Sequence, residues 1–373
     1  MTNQPYQQCT KTVMDNIADP NITFDENGVC NYWYDYQRKA KEMVFHGEVG
    51  AQLLAQKIEE IKTYGKSKKY DCLIGLSGGV DSTYVAYLTK KLGLRPLAIH
   101  FDNGWNSEIA VQNINNIIDN LGCDLHTLVV DWEEFKDLQL AYLKAGVIDI
   151  EVLTDHAIFG AINKLARKYD IKYVLSGSNV ETEAVLPNAW VFNKRDSINI
   201  KAIHKLFGTI PVKTYPFLTV YQKRYYSKVL KLEYVKPINY QQYIKDDVKK
   251  IITTELGWKD YGGKHYESVF TKFYQAYILP TKFKVDKRKA HLSNLICSNQ
   301  LTRDEALAEL EKPLYPEKEL EQDKDYVLKK FGLSATEFDQ IMKKPPIPHT
   351  FYQYDKGLFE NNVILRKIKH LLK

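Results

Sequence analysis

Apolar and polar positions along the middle of this chain alternate between two periods. Strand-length apolar runs stand at Tyr70–Leu76, Arg95–Phe101, Leu125–Val130 and Ile171–Leu175. Between them, Thr83–Leu92, Ser107–Leu121, Trp132–Ala145 and Asp155–Tyr169 space their apolar residues as helices do. This predicts an α/β fold with a doubly wound parallel sheet over residues 67–215, and ligands at the C-terminal ends of its strands. Residues 1–66 read as a small N-terminal segment closing in a helix over Glu48–Tyr64. From 216 to 373 the pattern turns helical and aromatic. There Thr302–Glu305 and Ser334–Glu337 are capping boxes, Pro345 and Pro346 break the second helix, and Val363–Leu372 forms a short amphipathic helix. The aromatics of Tyr266–Tyr277 recur at helical spacing and read as core.

Composition narrows the class. With 44% hydrophobic residues over 373 positions, and no apolar run of membrane-spanning length, the chain is expected to be globular. Met1–Gln8 has neither a basic nor an apolar leader region, so the cytoplasm is the expected location. The net charge of +6 is mild; only Lys282–Lys289 is locally dense in basic residues, as an anion-binding face or a solvated one. The five cysteines, Cys9, Cys30, Cys72, Cys123 and Cys297, are odd in number and scattered, which fits a reducing compartment. Cys72 lies inside the first strand and reads as a small buried hydrophobe.

The chemistry concentrates where the first strand meets its helix. Leu73–Ser82 reads Leu-Ile-Gly-Leu-Ser-Gly-Gly-Val-Asp-Ser. Ser77, Gly78 and Gly79 let backbone N–H groups approach an anion without a Cβ in the way, and the helix aims its positive end at the same spot. Ser82 adds a hydroxyl donor, and Asp81 can hold Mg²⁺ beside phosphates. The plain alternative is a βα turn with an Asp cap. The run lacks the loop lysine of Gly-x-x-x-x-Gly-Lys-Ser/Thr and the spacing of Gly-x-Gly-x-x-Gly.

Other polar clusters leave later strands. His100–Asn106, containing Asp102, falls where the adenosine half of a nucleotide would lie, or forms an ordinary turn. Ser176-Gly177-Ser178-Asn179, with Glu181 and Glu183, offers close backbone approach and groups for ribose, metal or substrate. Thr154-Asp155-His156 opens a helix, as its cap or as a substrate contact.

The Ser77–Ser82 hexapeptide resembles the PP-loop of the ATP pyrophosphatase superfamily, whose members adenylate a carbonyl or amide oxygen before a nucleophile displaces AMP. Together with Asp25–Asn31, His100–Trp105, Thr154–His156, Ser176–Asn179 and Asp286–Ser293, it looks like the N-acetyl sugar amidotransferase family over Cys9 to about Pro345. That resemblance implies a PP-loop fold and the use of ATP, Mg²⁺ and ammonia to turn an acetamido group of a nucleotide-activated sugar into an acetamidino group. The setting is bacterial surface-glycan or flagellin glycosylation. The ammonia comes from a separate glutaminase of the histidine-biosynthesis type, with its cyclase-like partner. By the same likeness, Ser77, Gly78, Gly79, Asp81, Ser82, Asp102 and Gly177 bind ATP, with Asp81 on the metal. Asp81, Asp155, His156, Asn179 and Glu183 serve catalysis, and Lys287 and Arg288 the sugar-nucleotide phosphates. No membrane or nucleic acid is implied.

One departure concerns zinc. The family often carries two Cys-x-x-Cys pairs, but here Thr12 follows Cys9 and Trp33 follows Cys30 where two ligands would stand. No closed zinc site is therefore expected, and packing through Trp33, Tyr34 and Tyr36 is expected to hold the segment. Two rivals remain. A PP-loop tRNA thiolase or lysidine-type ligase needs a strongly basic RNA-binding domain, and a noncatalytic nucleotide-binding scaffold would release no pyrophosphate.

Overall fold

The computed structural model describes residues 5–262 and 266–357; the Val363–Leu372 helix lies outside them. Five strands, β1 (Cys72–Gly75), β2 (Pro96–Asp102), β3 (Asp124–Val129), β4 (Tyr173–Leu175) and β5 (Glu233–Val235), form one sheet in the order β3-β2-β1-β4-β5. Every neighbouring pair is parallel. The chain winds outward from β1 to β3 and then crosses to β4 and β5, so the order reverses between β1 and β4. That switch point is where a doubly wound sheet opens a crevice at its strand ends.

The helices before β5 are α1 (Asn31–Met43), α2 (Gly47–Gly65), α3 (Val80–Lys91), α4 (Glu108–Leu121), α5 (Trp132–Ala145), α6 (Val152–Tyr169), α7 (Val180–Glu183), α8 (Ser197–Phe207) and α9 (Val220–Lys228). After it come α10 (Lys245–Leu256), α11 (Val269–Phe273), a π-helical stretch Tyr274–Phe283, α12 (Arg288–Cys297), α13 (Arg303–Glu311), α14 (Glu317–Phe331) and α15 (Ala335–Lys343).

Period-two alternation assigns the faces of the sheet. Cys72, Ile74 and Ala98 meet Leu54 and Ile58 of α2, Val85 and Leu88 of α3, Ile117 of α4, and Val248 and Ile252 of α10. Leu73, Leu97 and Val174 point the other way, onto Ile162, Leu165 and Ala166 of α6. Burial on both faces explains why these strands read as continuous apolar runs. A third core joins α5, the start of α6, the π-helical stretch and α14, with Phe270, Phe273 and Tyr274 inside it as the aromatic spacing predicts.

Three features differ from the sequence reading. The sheet runs past residue 215, because β5 pairs with β4, and α2 and α10 also cover it, so the sheet-based unit is wider than 67–215. Helix α6 begins at Val152, with Glu151 at its cap, so Asp155 stands at the fourth helical position rather than at the end. In the N-terminal segment Tyr36 is buried and Trp33 packs on the core, but Tyr34 is exposed and bonds Asp25. Cys9 Sγ accepts the N–H groups of Thr12 (3.4 Å) and Cys30 (3.2 Å), and Thr12 Oγ1 lies 3.6 Å from Cys30 Sγ. Arg303 reaches the carbonyls of Cys9 and Thr12, tying this segment to α13. Among the described residues no three His, Cys, Asp or Glu side chains converge on a metal position.

Candidate nucleotide-binding site

The turn after β1 is built for an anion. Leu76 N–H still bonds Ile99 O at 2.8 Å, so the strand is firm up to the loop. Gly78 then takes φ +81°, and a Cβ there would stand 3.0 Å from the carbonyl oxygen of Ala110. Both facts require glycine. Trp258 Nε1 pins the Gly78 carbonyl at 2.8 Å. Gly79 caps α3 with an extended backbone, its N–H donating to Ser77 Oγ (3.2 Å), and the Ser77 and Ser82 hydroxyls lie 3.1 Å apart. The loop is thus braced from within by its own serines, at the positive end of α3.

Neighbouring strand ends close around it. Gly177, after β4, lies against the turn: a Cβ there would sit 3.0 Å from the carbonyl carbon of Asp81 and 3.1 Å from Ser82 N. On the other side, His100 joins β2 to the loop. Its Nδ1 faces the Leu76 carbonyl at 3.0 Å, which can only accept, so Nδ1 carries the proton and Nε2 accepts from Asn106 Nδ2 at 3.1 Å. Asp102 accepts Gly104 N–H (2.9 Å) and Asn106 Nδ2 (3.2 Å), shaping the strand-end turn. Beside it a cavity of about 190 Å³ is lined by Asp102, Asn103, Val129, Trp132 and Lys330. The Lys330 ammonium lies 4.6 Å and 4.7 Å from the ring centroids of Trp105 and Trp132.

Asp81, in the first turn of α3, accepts the hydroxyl of Tyr243. Burial drives that phenol's pKa far up, and the Asp81 and Glu183 carboxylates push it further. Asp81 thus bonds that hydroxyl beside the cradle, and the Glu183 charge is near enough to be felt by it. A hard carboxylate in the first turn of α3, with a second carboxylate in α7, fits Mg²⁺, which takes one or two protein carboxylates and completes its shell with phosphate oxygens and water.

The α6 side of the crevice carries a second cluster. Thr154 Oγ1 accepts from Asn103 Nδ2 at 3.3 Å, joining the start of α6 to the end of β2. Asp155 keeps 43% of its side-chain surface open. Burial raises its pKa against the pull of Lys194, 3.2 Å away. Lys194 also pairs with Asp149 at 2.7 Å. Burial alone would depress the lysine, but Asp155 and Asp149 outweigh it and keep it charged.

Three predicted site residues turn out to be scaffold. His156 is buried, its Nδ1 bonded to the Lys194 carbonyl (3.0 Å) and its Nε2 accepting Leu218 N–H (2.9 Å). Burial lowers its pKa to about 4, and no ring nitrogen is left for substrate. Asn179 caps α7 through Thr182 N–H (2.9 Å) and donates to Gly177 O, shaping the glycine turn from behind. Arg288 spends its guanidinium on Asp286 and on the carbonyls of Glu309, Leu310 and Lys312 at the end of α13. Lys287 pairs loosely with Glu151 at 3.9 Å and lies 6.0 Å from the Tyr274 ring centroid.

The sequence reading missed Tyr243, Trp258, Lys194 and Lys330. Tyr243 and Trp258 act across 162 and 180 residues, and nothing in their local pattern marks them. The Asn193–Asp196 run, polar after an apolar stretch, is the signal that could have found Lys194.

Comparison with known proteins agrees with this geometry. Residues 53–142 match the NAD synthase family, covering α2 to α5 and the cradle. Residues 267–368 match the C-terminal domain of LPS biosynthesis protein WbpG-like chains. A tRNA-specific 2-thiouridylase MnmA 2 from Fusobacterium nucleatum is 24% identical over 51% of this chain and 57% of its own length. A probable tRNA sulfurtransferase from Methanobrevibacter smithii is 29% identical over 36% of each chain. The matched segments thus span well under two thirds of these curated relatives. An NMN synthetase structure from Francisella tularensis aligns over 60% of this chain and 92% of its own at 16% identity, but with a TM-score of 0.29, too low to argue from. The chain carries an ATP-binding PP-loop domain joined to a WbpG-like C-terminal domain. That pairing of domains supports an N-acetyl sugar amidotransferase of the PP-loop superfamily.

Proposed function

We propose that this chain is an ATP-dependent amidotransferase that converts an acetamido group of a nucleotide-activated sugar into an acetamidino group, in the building of a bacterial surface glycan such as lipopolysaccharide or a flagellin glycan. The observation that carries the reading is a phosphate cradle at the β1/β4 switch point, in one chain with a WbpG-like domain. The acetamido oxygen attacks the α-phosphorus of ATP, and pyrophosphate leaves along Ser77–Ser82. Ammonia adds to the imidoyl carbon, loses a proton, and AMP departs with the former amide oxygen. Asp81 and Glu183 would hold Mg²⁺, which neutralises charge on the phosphates. Asp155, partly open and with a raised pKa, takes the proton shed by the attacking nitrogen. Lys194 holds that carboxylate in place, and Lys287 meets the acceptor's phosphates.

Ammonia is supplied by a separate glutaminase of the histidine-biosynthesis type with its cyclase-like companion. A glutaminase triad needs an activated cysteine. Here Cys9, Cys30, Cys72 and Cys297 are buried, and Cys123 precedes β3 at the sheet edge opposite the site. The same placement weighs against tRNA thiolation, which the two curated relatives' names describe for those proteins. Pyrophosphate release is measured with ATP, Mg²⁺, ammonium and either a nucleotide-activated acetamido sugar or bulk tRNA. Release with the sugar supports the proposal. Release with tRNA alone, or with neither, refutes it.

A further inference from the structure

We propose that Tyr243 is a positioning residue of the phosphate site, orienting Asp81 for the metal–ATP complex, and that the C-terminal domain holds Tyr243 in place through Gln300. The inference rests on reading Ser77–Ser82 as the ATP site. A carboxylate in the first turn of a helix turns freely unless something fixes it. Here the Tyr243 hydroxyl donates to Asp81 Oδ1 and sets the plane of the carboxylate. The phenol is itself immobile: Tyr243 is 1% exposed, and its ring packs 5.8 Å from that of Tyr84, on α3 itself.

The backbone beneath it is clamped from a distant part of the chain. Gln300, in the turn after α12, donates Nε2 to the Tyr243 carbonyl at 3.0 Å and to Ser298 Oγ at 3.1 Å. Its Oε1 accepts Lys245 N–H at 3.0 Å. Gln300 lies inside the WbpG-like domain, and so a path of hydrogen bonds runs from that domain to the acid of the phosphate turn. Seating of the C-terminal domain then governs how well the cradle takes metal.

The test uses the full chain with Mn²⁺ as a paramagnetic stand-in for Mg²⁺ and α,β-methylene-ATP, which cannot lose pyrophosphate. Mn²⁺ affinity is read by electron paramagnetic resonance, and the Mg²⁺ concentration giving half-maximal pyrophosphate release is read separately. Loss of a hydrogen bond to a carboxylate weakens a dependent equilibrium by about tenfold. Tyr243→Phe should therefore weaken Mn²⁺ binding and raise the half-maximal Mg²⁺ by about tenfold, with most turnover regained at saturating Mg²⁺. Asp81→Asn should lose turnover that Mg²⁺ does not restore. Gln300→Met leaves the phenol in place and should shift the Mg²⁺ requirement in the same direction by less, which keeps the test valid if Tyr243→Phe folds poorly. Unchanged metal affinity in both variants overturns the inference while leaving the ATP site standing. Absence of Mn²⁺–nucleotide binding by the unaltered chain overturns the site reading itself.

Discussion

Replacing Gly177 by alanine places one methyl group against the phosphate turn from the β4 side. The new Cβ would lie 3.0 Å from the Asp81 carbonyl carbon, 3.1 Å from Ser82 N and 3.2 Å from Asp81 O. All three are backbone atoms at the start of α3 and cannot swing aside. Carbon contacts relax at about 3.5–4.0 Å, so the two strand-end turns must part by about 0.5 Å. Overpacking of this kind costs about 1–3 kcal/mol. The functional loss should be larger than the stability loss, because the methyl would crowd Ser82 N, a backbone donor at the helix start where the phosphates would bind. A displacement of this size in a catalytic cradle costs about ten- to a hundredfold in rate. Urea unfolding and pyrophosphate release are measured side by side, with Gly75→Ala as the stability control, since no atom lies within 4 Å of a Cβ there. A Gly177→Ala chain that is destabilised but turns over normally would show that the phosphates do not sit against this turn.

Further outcomes follow from the scaffold residues. His349 is a second buried histidine, its Nε2 accepting Asp149 N–H (3.2 Å) and its Nδ1 facing Asn199 Oδ1 (3.0 Å). Burial pushes it and His156 to a pKa of about 4, so each stays neutral in the fold while the unfolded chain takes up protons below about pH 6.5. Their stabilisation is complete above that value and is lost as pH falls toward 4, about 1.4 kcal/mol per histidine between pH 7.5 and 5.5, and His349→Asn should remove about half of this joint slope in urea unfolding. Arg288→Met should cost about 1–3 kcal/mol in the same assay and leave the acceptor KM unchanged, because its guanidinium caps α13. Lys287→Met should raise the acceptor KM about tenfold with stability unchanged, and the reverse pattern in the pair would reinstate Arg288 as the phosphate ligand. Metal analysis of tag-free protein should find well under one zinc per chain, and a stoichiometric zinc that resists chelation would contradict the packing account of Cys9, Thr12, Cys30 and Trp33.

What could be read beforehand was local. The β1 turn is written in six adjacent residues, because a phosphate cradle needs small residues and a helix start in immediate succession, and β1 to β4 with their helices carry clean periodicity. β5 escaped because Glu233–Val235 is three residues long and stands among charged residues, Lys231, Glu233 and Lys236, whereas the equally short β4 lies in the run Ile171–Leu175. Histidine 156 looked chemical because a sequence shows which groups titrate but not what meets them; only the fold brings the Lys194 carbonyl and Leu218 amide to its two nitrogens. Arg288 misled for the same reason, its basic neighbours suggesting an anion where three carbonyls at a helix end were waiting. Tyr243 and Gln300 act through single hydrogen bonds over long separations, a kind of information that no window of sequence holds.

The central claim is that the acetamido oxygen itself is adenylated, and the fate of that oxygen tests it most directly. A nucleotide-activated sugar labelled with ¹⁸O in its acetamido carbonyl is incubated with the chain, ATP, Mg²⁺ and ammonium, and AMP and sugar are analysed by mass spectrometry. The account predicts one AMP and one pyrophosphate per acetamidino sugar, with the ¹⁸O recovered in the phosphate of AMP. Unlabelled AMP formed alongside amidino product would contradict it, as would ATP cleavage that leaves the acetamido group intact.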